Sequence, residues 1–272
     1  MLKRVIDMIK AIFFDIDGTL IDFETHEIPD STLYTLKKLQ EKGIKLCIAS
    51  GRPPVQLPIL CDSFNQFPWD GYILLNGQYC LDEHKQSFYD CPISQETLET
   101  LVPYLQTVEY SCSVFELEYG YETKLNPHTV EYYTSINQLD RLPKVEDVSR
   151  MLTHPTYQVC PYIQVEEDEE FLKHAPGMKS ARWTDAFADM IPLQGGKPEG
   201  IKKMLERWNL SKDECIAFGD GGNDISMLEF ASIGIAMGNA KEEVKKHADY
   251  ITTNCNDNGI YNACLHFGLI EK

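Results

Sequence analysis

The amino-acid sequence predicts an α/β protein with a doubly wound, Rossmann-like parallel sheet as its core and an inserted α+β domain. Short apolar runs that end in polar residues alternate with amphipathic stretches near both ends of the chain. Between them, residues 83–186 have a different composition and pattern: they are rich in aromatic and acidic side chains, and polar and apolar residues alternate. The length of 272 residues also exceeds that of one usual compact domain, so two lobes are expected.

The first core elements are predicted before residue 83. The run A-I-F-F at residues 11–14 is apolar throughout, as expected of a strand buried on both faces of a parallel sheet. Asp30 opens an amphipathic stretch that Gly43 is expected to end, which indicates a helix. Further strands are predicted at residues 44–49, at 72–75 and, across a tight Asn76-Gly77 hairpin, at 78–81.

The inserted domain is predicted to combine helices with half-exposed strands. A helix is expected at residues 94–106, and the alternation in residues 115–121 and 162–167 is typical of strands with one face towards solvent. The ends of an inserted domain normally lie close together on the domain that receives it. The core is therefore assigned to residues 8–82 and 187–272, and residues 1–7 are expected to add little to the fold.

The alternation of helices and strands resumes after the insertion. Helices are predicted at residues 198–208, 224–230 and 241–246, with a further terminal helix, and strands at 215–218, 233–236 and 250–252. Such alternation predicts a parallel sheet covered by helices on both faces. The ligands of these sheets bind beyond the carboxyl ends of the strands, so that edge is the place to look for a site.

Composition narrows the range of partners and compartments. The chain has 25 Lys and Arg residues against 42 Asp and Glu, a formal net charge of −17, which repels nucleic acids and anionic membrane surfaces. The expected partner is therefore a small molecule, and a phosphorylated one would need local cations or a bound metal. Nine cysteines without a C-x-x-C pair favour neither a disulfide framework nor a zinc site and indicate a reducing cytoplasm.

Four polar clusters follow predicted core strands or open predicted helices. They are D-I-D-G-T at residues 15–19, S-G-R at residues 50–52, Lys197, and G-D-G-G-N-D at residues 219–224. Because the carboxyl ends of parallel strands meet at one edge of a sheet, these distant stretches are expected to form one site.

The first cluster carries two aspartates with separate chemical roles. Asp15 and Asp17 are two residues apart, and Gly18 lets the chain turn sharply, so one carboxylate can attack while the other serves the leaving oxygen. The alternative of an EF-hand calcium loop is excluded, because Leu20 and His26 stand where that loop needs Gly and Glu.

The other clusters supply groups suited to a metal and a phosphate. Asp220 is a hard oxygen ligand that could join Asp15 on Mg²⁺. Lys197 follows two glycines at a predicted helix start, which favours an anion, although Pro198 and a missing upstream glycine exclude a P-loop. Ser50 and Arg52 offer hydrogen-bond donors to phosphoryl oxygens.

In order and spacing, these motifs resemble those of the haloacid dehalogenase superfamily, and the insertion resembles the α/β cap of its type IIB, Cof-like branch. The resemblance implies a Mg²⁺-dependent phosphatase that hydrolyses small phosphorylated metabolites, such as sugar phosphates or phosphorylated cofactors, through an aspartyl-phosphate. For the cap, the resemblance is one of position, size and texture only. Gly222, where many relatives have an acidic residue, and Pro198 are small departures that remove no reacting group.

The resemblance also implies a role for each matching residue. Asp15 would be the nucleophile, Asp17 the acid and base, and Lys197 a further catalytic group. Asp15, Asp17 through its backbone carbonyl, and Asp220 would hold Mg²⁺. Five residues would grip the phosphoryl group or the substrate next to it: Ser50, Gly51, Arg52, Lys197 and Asn223. Gly18 would support the turn, and Asp224 would orient Lys197 or reach the metal through water.

Three alternatives stay open at this point. A phosphotransferase or phosphomutase on the same scaffold would pass the phosphoryl group from Asp15 to a second hydroxyl. A receiver-like signalling module would keep a lasting phospho-aspartate, although the adjacent Asp17 and the long insertion speak against it. A non-catalytic binding protein would keep the fold without the reaction, since fold alone does not imply function.

Overall fold

A computed structural model describes residues 8–135 and 143–271 of the chain, which divides into two compact units. The core unit comprises Met1–Arg52, Gln56–Asp90 and Lys197–Lys272, and the inserted unit comprises Pro53–Val55 and Cys91–Gly196. The expectation for residues 1–7 lies outside the described residues.

The strands and helices of the described chain are numbered here in chain order. The strands are β1 (Ala11–Phe14), β2 (Lys45–Ala49), β3 (Gly71–Leu74), β4 (Tyr79–Asp82), β5 (Ser87–Asp90), β6 (Cys112–Phe115), β7 (Gly120–Glu122), β8 (Gln158–Pro161), β9 (Met178–Ala181), β10 (Asp189–Pro192), β11 (Cys215–Gly219), β12 (Ile233–Ala236) and β13 (Tyr250–Ile251). The helices are α1 (Asp30–Glu41), α2 (Asp62–Gln66), α3 (Gln95–Leu105), α4 (Pro127–Ser135), α5 (Asp168–Lys173), α6 (Lys197–Trp208), α7 (Ile225–Phe230), α8 (Glu242–Lys245) and α9 (Gly259–His266).

The core unit contains a sheet of eight strands in the order β13-β12-β11-β1-β2-β3-β4-β5. The pairs from β13 to β3 are parallel, and β4 and β5 add an antiparallel edge. The chain moves outwards from β1 to β3, and after the insertion it starts again at β11 and moves outwards in the opposite direction. The sheet is therefore doubly wound as predicted, with its topological switch point between β1 and β11.

The apolar residues of β1 explain why it lies in the middle of that sheet. Ile12 and Phe14 pack into one hydrophobic cluster that also contains Leu36 of α1. Ala11 and Phe13 pack on the other face, in a cluster that contains Ile201 of α6. A strand that buries both faces needs helices on both sides, which confirms the prediction made from its sequence.

The inserted unit has its own sheet and its own core. Five strands in the order β7-β6-β8-β10-β9 pair antiparallel. Apolar side chains of α3 and α5, including Leu101 and Phe171, pack in one cluster with Val114, Val159 and Met190 of the strands. This arrangement is an α+β unit, as the aromatic residues and the alternating polarity of the sequence indicate.

Two boundaries and two predicted strands differ from the sequence prediction. Residues 115–121 are not one strand, since β6 ends at Phe115 and β7 begins at Gly120. Strand β5 belongs to the core unit because it pairs with β4, and β10 belongs to the inserted unit because it pairs with β8 and β9. Residues 162–167 are not a strand, since β8 ends at Pro161 and residues 165–167 form a short 3₁₀ turn. Short segments of alternating polarity cannot by themselves distinguish such turns from half-exposed strands.

Candidate active site

Asp15 and Asp220 lie side by side at the switch point of the core sheet. Asp15 directly follows β1, and Asp220 directly follows β11. The two strands are parallel neighbours, with Phe14 opposite Phe218, and the Asp15 N–H donates to the Phe218 carbonyl at 3.0 Å. The pairing of the strands thus brings together two residues that are far apart in sequence.

Asp224 completes a cluster of three carboxylates with Asp15 and Asp220. One oxygen from each residue lies within 4.8 Å of the others. The second Asp224 oxygen accepts the N–H groups of Asp220 and Gly221 at 2.9 and 2.8 Å, which fixes the orientation of its side chain. Three convergent carboxylates offer hard oxygen ligands of the kind that Mg²⁺ and Ca²⁺ prefer.

Lys197 is the positively charged residue that contacts this cluster. It is the first residue of α6, and its buried Nζ donates to Asp15 at 2.6 Å and to Asp224 at 2.5 Å. Burial alone would lower the pKa of Lys197, but the charges of the two carboxylates outweigh it and hold that pKa above its ordinary value. Lys197 therefore stays charged at neutral pH.

One ammonium group cannot neutralise three carboxylates. Burial raises the pKa of Asp15 to about 7, and the charge of Asp224 adds to the rise. Burial also raises the pKa of Asp220 to about 8, with a further contribution from the charge of Asp15. With all groups ionised, the cluster carries a formal excess of two negative charges, which is the charge that one divalent cation would balance.

The Asp17 carboxylate pairs with Arg52. Arg52 Nε and Nη2 donate to the two Asp17 oxygens at 2.6 and 2.8 Å, a bidentate ion pair. Both side chains are partly exposed, at 34% for Asp17 and 27% for Arg52. The acidic cluster thus consists of the carboxylates of Asp15, Asp220 and Asp224. The Asp17 carboxylate is paired with the Arg52 guanidinium instead.

The predicted phosphate-binding residues other than Lys197 lie in the loop after β2 and the loop after β11. Ser50 is buried, and its hydroxyl accepts the Arg52 N–H at 3.1 Å. Asn223 Nδ2 donates to Asn76 Oδ1 at 3.0 Å. A Cβ placed on Gly51 would lie 3.1 Å from the Asn76 amide. The Asn76 side chain therefore packs closely against Gly51, in space that a larger residue at position 51 would need. Asn76 therefore connects the loop after β2 with the loop after β11.

Both oxygens of Asp220 are held by neighbouring polar groups. Thr19 Oγ1 donates to one oxygen at 2.9 Å, and Asn239 Nδ2 donates to the other at 3.3 Å and to the Gly18 carbonyl at 2.9 Å. Gly18 has φ of +78°, and a Cβ there would stand 2.3 Å from Asp220 Oδ2. Only glycine fits at that position, which supports the role predicted for it in the turn.

Sequence reasoning missed two of these residues, Asn76 and Asn239. The sequence around Asn76 predicts only a tight turn, because an Asn-Gly pair between apolar runs is a strong hairpin signal. Asn239 is the third residue after the end of β12, in the loop at the same edge of the sheet as Asp220. The rule that polar residues after core strands gather at one edge would have selected Asn239 as well.

The comparison with protein families matches the model of haloacid dehalogenase-like hydrolases over residues 12–264. Among curated proteins, YkrA of Bacillus subtilis (strain 168), which is named as a phosphatase, is 33% identical over 265 residues. That match covers 96% of this chain and 99% of YkrA. Within the described residues, no helix has the length and the apolar composition needed to cross a membrane.

Two solved structures are similar over nearly the whole chain. BT1666 of Bacteroides thetaiotaomicron, described among phosphatases of the same superfamily, has a TM-score of 0.89 and 32% identity, and the match covers 97% of this chain and 96% of that one. BT4131, described as a subclass IIB sugar phosphatase, has a TM-score of 0.85 and 36% identity, with 96% and 100% coverage. The chain therefore belongs to the haloacid dehalogenase-like hydrolase family, as a phosphatase enzyme of the subclass IIB type.

Proposed function

We propose that this enzyme hydrolyses small phosphate monoesters with the help of Mg²⁺, by way of a phosphoryl group carried on Asp15. The observation that carries the proposal is the acidic cluster at the switch point, with its formal excess of two negative charges around Lys197. Asp15 and Asp220 are the carboxylates that would hold the ion, with Asp224 close by. When bound, the cation would offset the repulsion between the aspartate and an anionic phosphate.

In the first step, an Asp15 oxygen attacks phosphorus, and the bond from phosphorus to the leaving oxygen breaks. Asp17 gives a proton to that oxygen, so the product leaves as an alcohol. Lys197 stabilises negative charge on the oxygens around phosphorus, and Ser50 and Asn223 hold those oxygens in place. The phosphoryl group now forms an acyl phosphate with Asp15.

In the second step, water attacks phosphorus and releases inorganic phosphate. Asp17 takes the proton of the attacking water, and the Asp15 carboxylate is regenerated. Asp17 must exchange protons in both steps, whereas in the structure its carboxylate is held in the ion pair with Arg52. A substrate phosphate that attracts Arg52 would weaken that ion pair and free the Asp17 carboxylate. Arg52 would then lie between Asp17 and the substrate.

Sugar phosphates are the substrate class to test first. BT4131, described as a sugar phosphatase, is 36% identical and matches 96% of this chain. Phosphorylated cofactors are the second class to include in a panel of candidate substrates. The strongly acidic chain, with a formal net charge of −17, makes nucleic acids poor substrates. We place the activity in the cytoplasm, since nine cysteines without disulfide bonds suit a reducing compartment.

The proposal predicts that phosphate release depends on Mg²⁺. The purified protein should release inorganic phosphate from at least one class of the panel, lose that activity in excess EDTA, and regain it when Mg²⁺ is added back. The physical reason is that two uncompensated negative charges at the nucleophile repel a phosphate dianion. A colorimetric phosphate assay measures the release.

The same assay separates hydrolysis from transfer. A hydrolase releases phosphate at the same rate with or without an added sugar acceptor. Full activity in EDTA would contradict the role of the metal. Loss of the phosphate ester that requires an acceptor sugar, with the phosphoryl group recovered on that sugar and not as inorganic phosphate, would instead favour a phosphotransferase or phosphomutase.

Asp17→Asn is expected to lower kcat by about 10² to 10⁴-fold, because general acid–base catalysis contributes about that much. The side chain of Asp17 lies outside the three-carboxylate cluster, so the affinity for Mg²⁺ should change little. Steady-state kinetics and calorimetric titration with Mg²⁺ measure the two quantities. Asp22→Asn is the matched control, since that buried carboxylate of the same loop accepts backbone N–H groups of residues 24 and 25. Equal kcat in the wild type and Asp17→Asn would refute the assignment.

A further inference from the structure

The connection between β3 and β4 is a turn with an unusual backbone. Leu75, Asn76 and Gly77 have φ of 53°, 52° and 92°, three consecutive residues in the left-handed region. This conformation is unfavourable for a residue other than glycine, and a buried leucine has no side-chain polar group to compensate for it. Such outliers persist where the surrounding structure requires them, and they concentrate at functional sites.

The turn donates its backbone N–H groups to the loop that carries Ser50 and Arg52. The N–H of Leu75 donates to the Arg52 carbonyl at 3.1 Å, and the N–H of Asn76 donates to the Ser50 carbonyl at 3.0 Å. Both bonds need N–H groups that point to the same side, which successive left-handed residues provide. The unusual backbone thus fixes the position of the loop after β2.

The side chain of Asn76 reaches the second loop of the site. It is 1% exposed, and its Oδ1 accepts a hydrogen bond from Asn223 Nδ2 at 3.0 Å, across 147 residues of sequence. The amide also fills the space beside Gly51. An amide nitrogen carries two hydrogens, and the bond to Asn76 uses one of those on Asn223. That bond fixes the plane of the Asn223 amide and so the direction of its other hydrogen.

We propose that Asn76 is a positioning residue for the transferred phosphoryl group. It holds the loop of Ser50 through its backbone and Asn223 through its side chain, so that donors from both loops converge on the same oxygens. Asn76 itself need not touch substrate. This inference rests on the proposed function, because it assumes that Asn223 and Ser50 contact phosphate.

The test separates the backbone of Asn76 from its amide. Glycine adopts the left-handed conformation without cost, so Asn76→Gly keeps the turn and removes the amide, whereas Asn76→Ala disturbs both. We expect both variants to lower kcat/KM by about 10-fold, the size of one lost hydrogen bond to a reacting anion. Only Asn76→Ala should also lower the melting temperature markedly. Inhibition by orthovanadate should weaken in proportion to kcat/KM.

A double-mutant cycle measures the link to Asn223. If Asn76 acts through Asn223, the variant Asn76→Gly/Asn223→Ala should be no less active than Asn223→Ala alone, because contacting residues are not additive. Asn209→Gly is the control. Asn209 is also left-handed, with φ of 54°, but it lies at the far end of α6, one residue beyond Trp208. Its replacement should leave kcat/KM unchanged.

Two results would overturn the inference while the proposed function stands. In the first, Asn76→Gly has the kcat/KM of the wild type, which would reduce Asn76 to a backbone role. In the second, the losses from Asn76→Gly and Asn223→Ala multiply in the double variant, which would mean that the two residues act independently. A wild-type protein that releases no phosphate from any monoester is a different outcome, and it would refute the proposed function together with this inference.

Discussion

Replacing Asp15 with asparagine is expected to lower kcat/KM for phosphate release by at least about 10⁴-fold, as losses of an enzymatic nucleophile do. An amide nitrogen cannot attack phosphorus as a carboxylate oxygen does. The amide oxygen of the variant can still accept the hydrogen bond that Lys197 Nζ makes at 2.6 Å. The variant should therefore keep the fold and lose the reaction.

The stability of Asp15→Asn should not fall. Burial and the charge of Asp224 raise the pKa of Asp15 to about 7, so the ionisation of Asp15 in the metal-free protein lowers the stability of the fold, and it does so most fully above that pH. Removing the carboxylate relieves this repulsion, and the melting temperature in EDTA should stay level or rise. Asp82→Asn is the matched control. Asp82 is another buried aspartate, paired with Arg207 at 2.8 Å, and its loss should leave turnover intact.

Lys197→Met is expected to have the largest effect on stability, a loss of about 3–5 kcal/mol in the free energy of unfolding. The lysine is the cation between two buried carboxylates, and its removal leaves Asp15 and Asp224 facing each other without it. Methionine has a similar volume, so the loss reports the charge rather than a cavity. Activity should fall by about 10³-fold, because a group that stabilises transition-state charge is lost. Urea unfolding in EDTA and steady-state kinetics measure the two effects.

The loss in Lys197→Met should depend on pH. Without the lysine, whose charge lowers the pKa of Asp15, that pKa rises further, so protonation of Asp15 can relieve its repulsion with Asp224 at mildly acidic pH but not at alkaline pH. The difference in unfolding free energy between wild type and variant should therefore grow as pH increases. Lys45→Met is the control, because Lys45 and Asp70 pair at the same 2.6 Å with Lys45 45% exposed, and such surface pairs contribute about 0–1 kcal/mol. Equal losses in the two variants would contradict the account.

Much of the core could be predicted from sequence because its strands are continuous apolar runs. The run at residues 11–14 can only be buried on both faces, and the polar residues after each strand must then meet at one edge. The same reasoning brought Asp15 and Asp220 together correctly in space. Local sequence patterns were sufficient here because parallel strands all end at the same edge of the sheet, so the residues that follow each strand lie near one another.

The parts that could not be predicted depend on contacts between distant residues. The bidentate pair of Arg52 with Asp17 has no sequence signal, since either side chain could have turned to substrate instead. The partnership of Asn76 with Asn223 is equally invisible, and the left-handed turn that supports it violates ordinary residue preferences. The boundary of the inserted unit failed for a similar reason, because β10 is assigned by the strands with which it pairs.

The most direct test of the central claim is to find the phosphoryl group on the enzyme during turnover. The protein is mixed with Mg²⁺ and a good substrate, quenched in acid within milliseconds, digested, and mapped by mass spectrometry. We predict a phosphoryl group on the peptide that carries Asp15, absent from Asp15→Asn and lost as substrate is consumed. Steady phosphate release with Asp15 unmodified at every time point would contradict the account, because water would then attack the substrate without an aspartyl-phosphate.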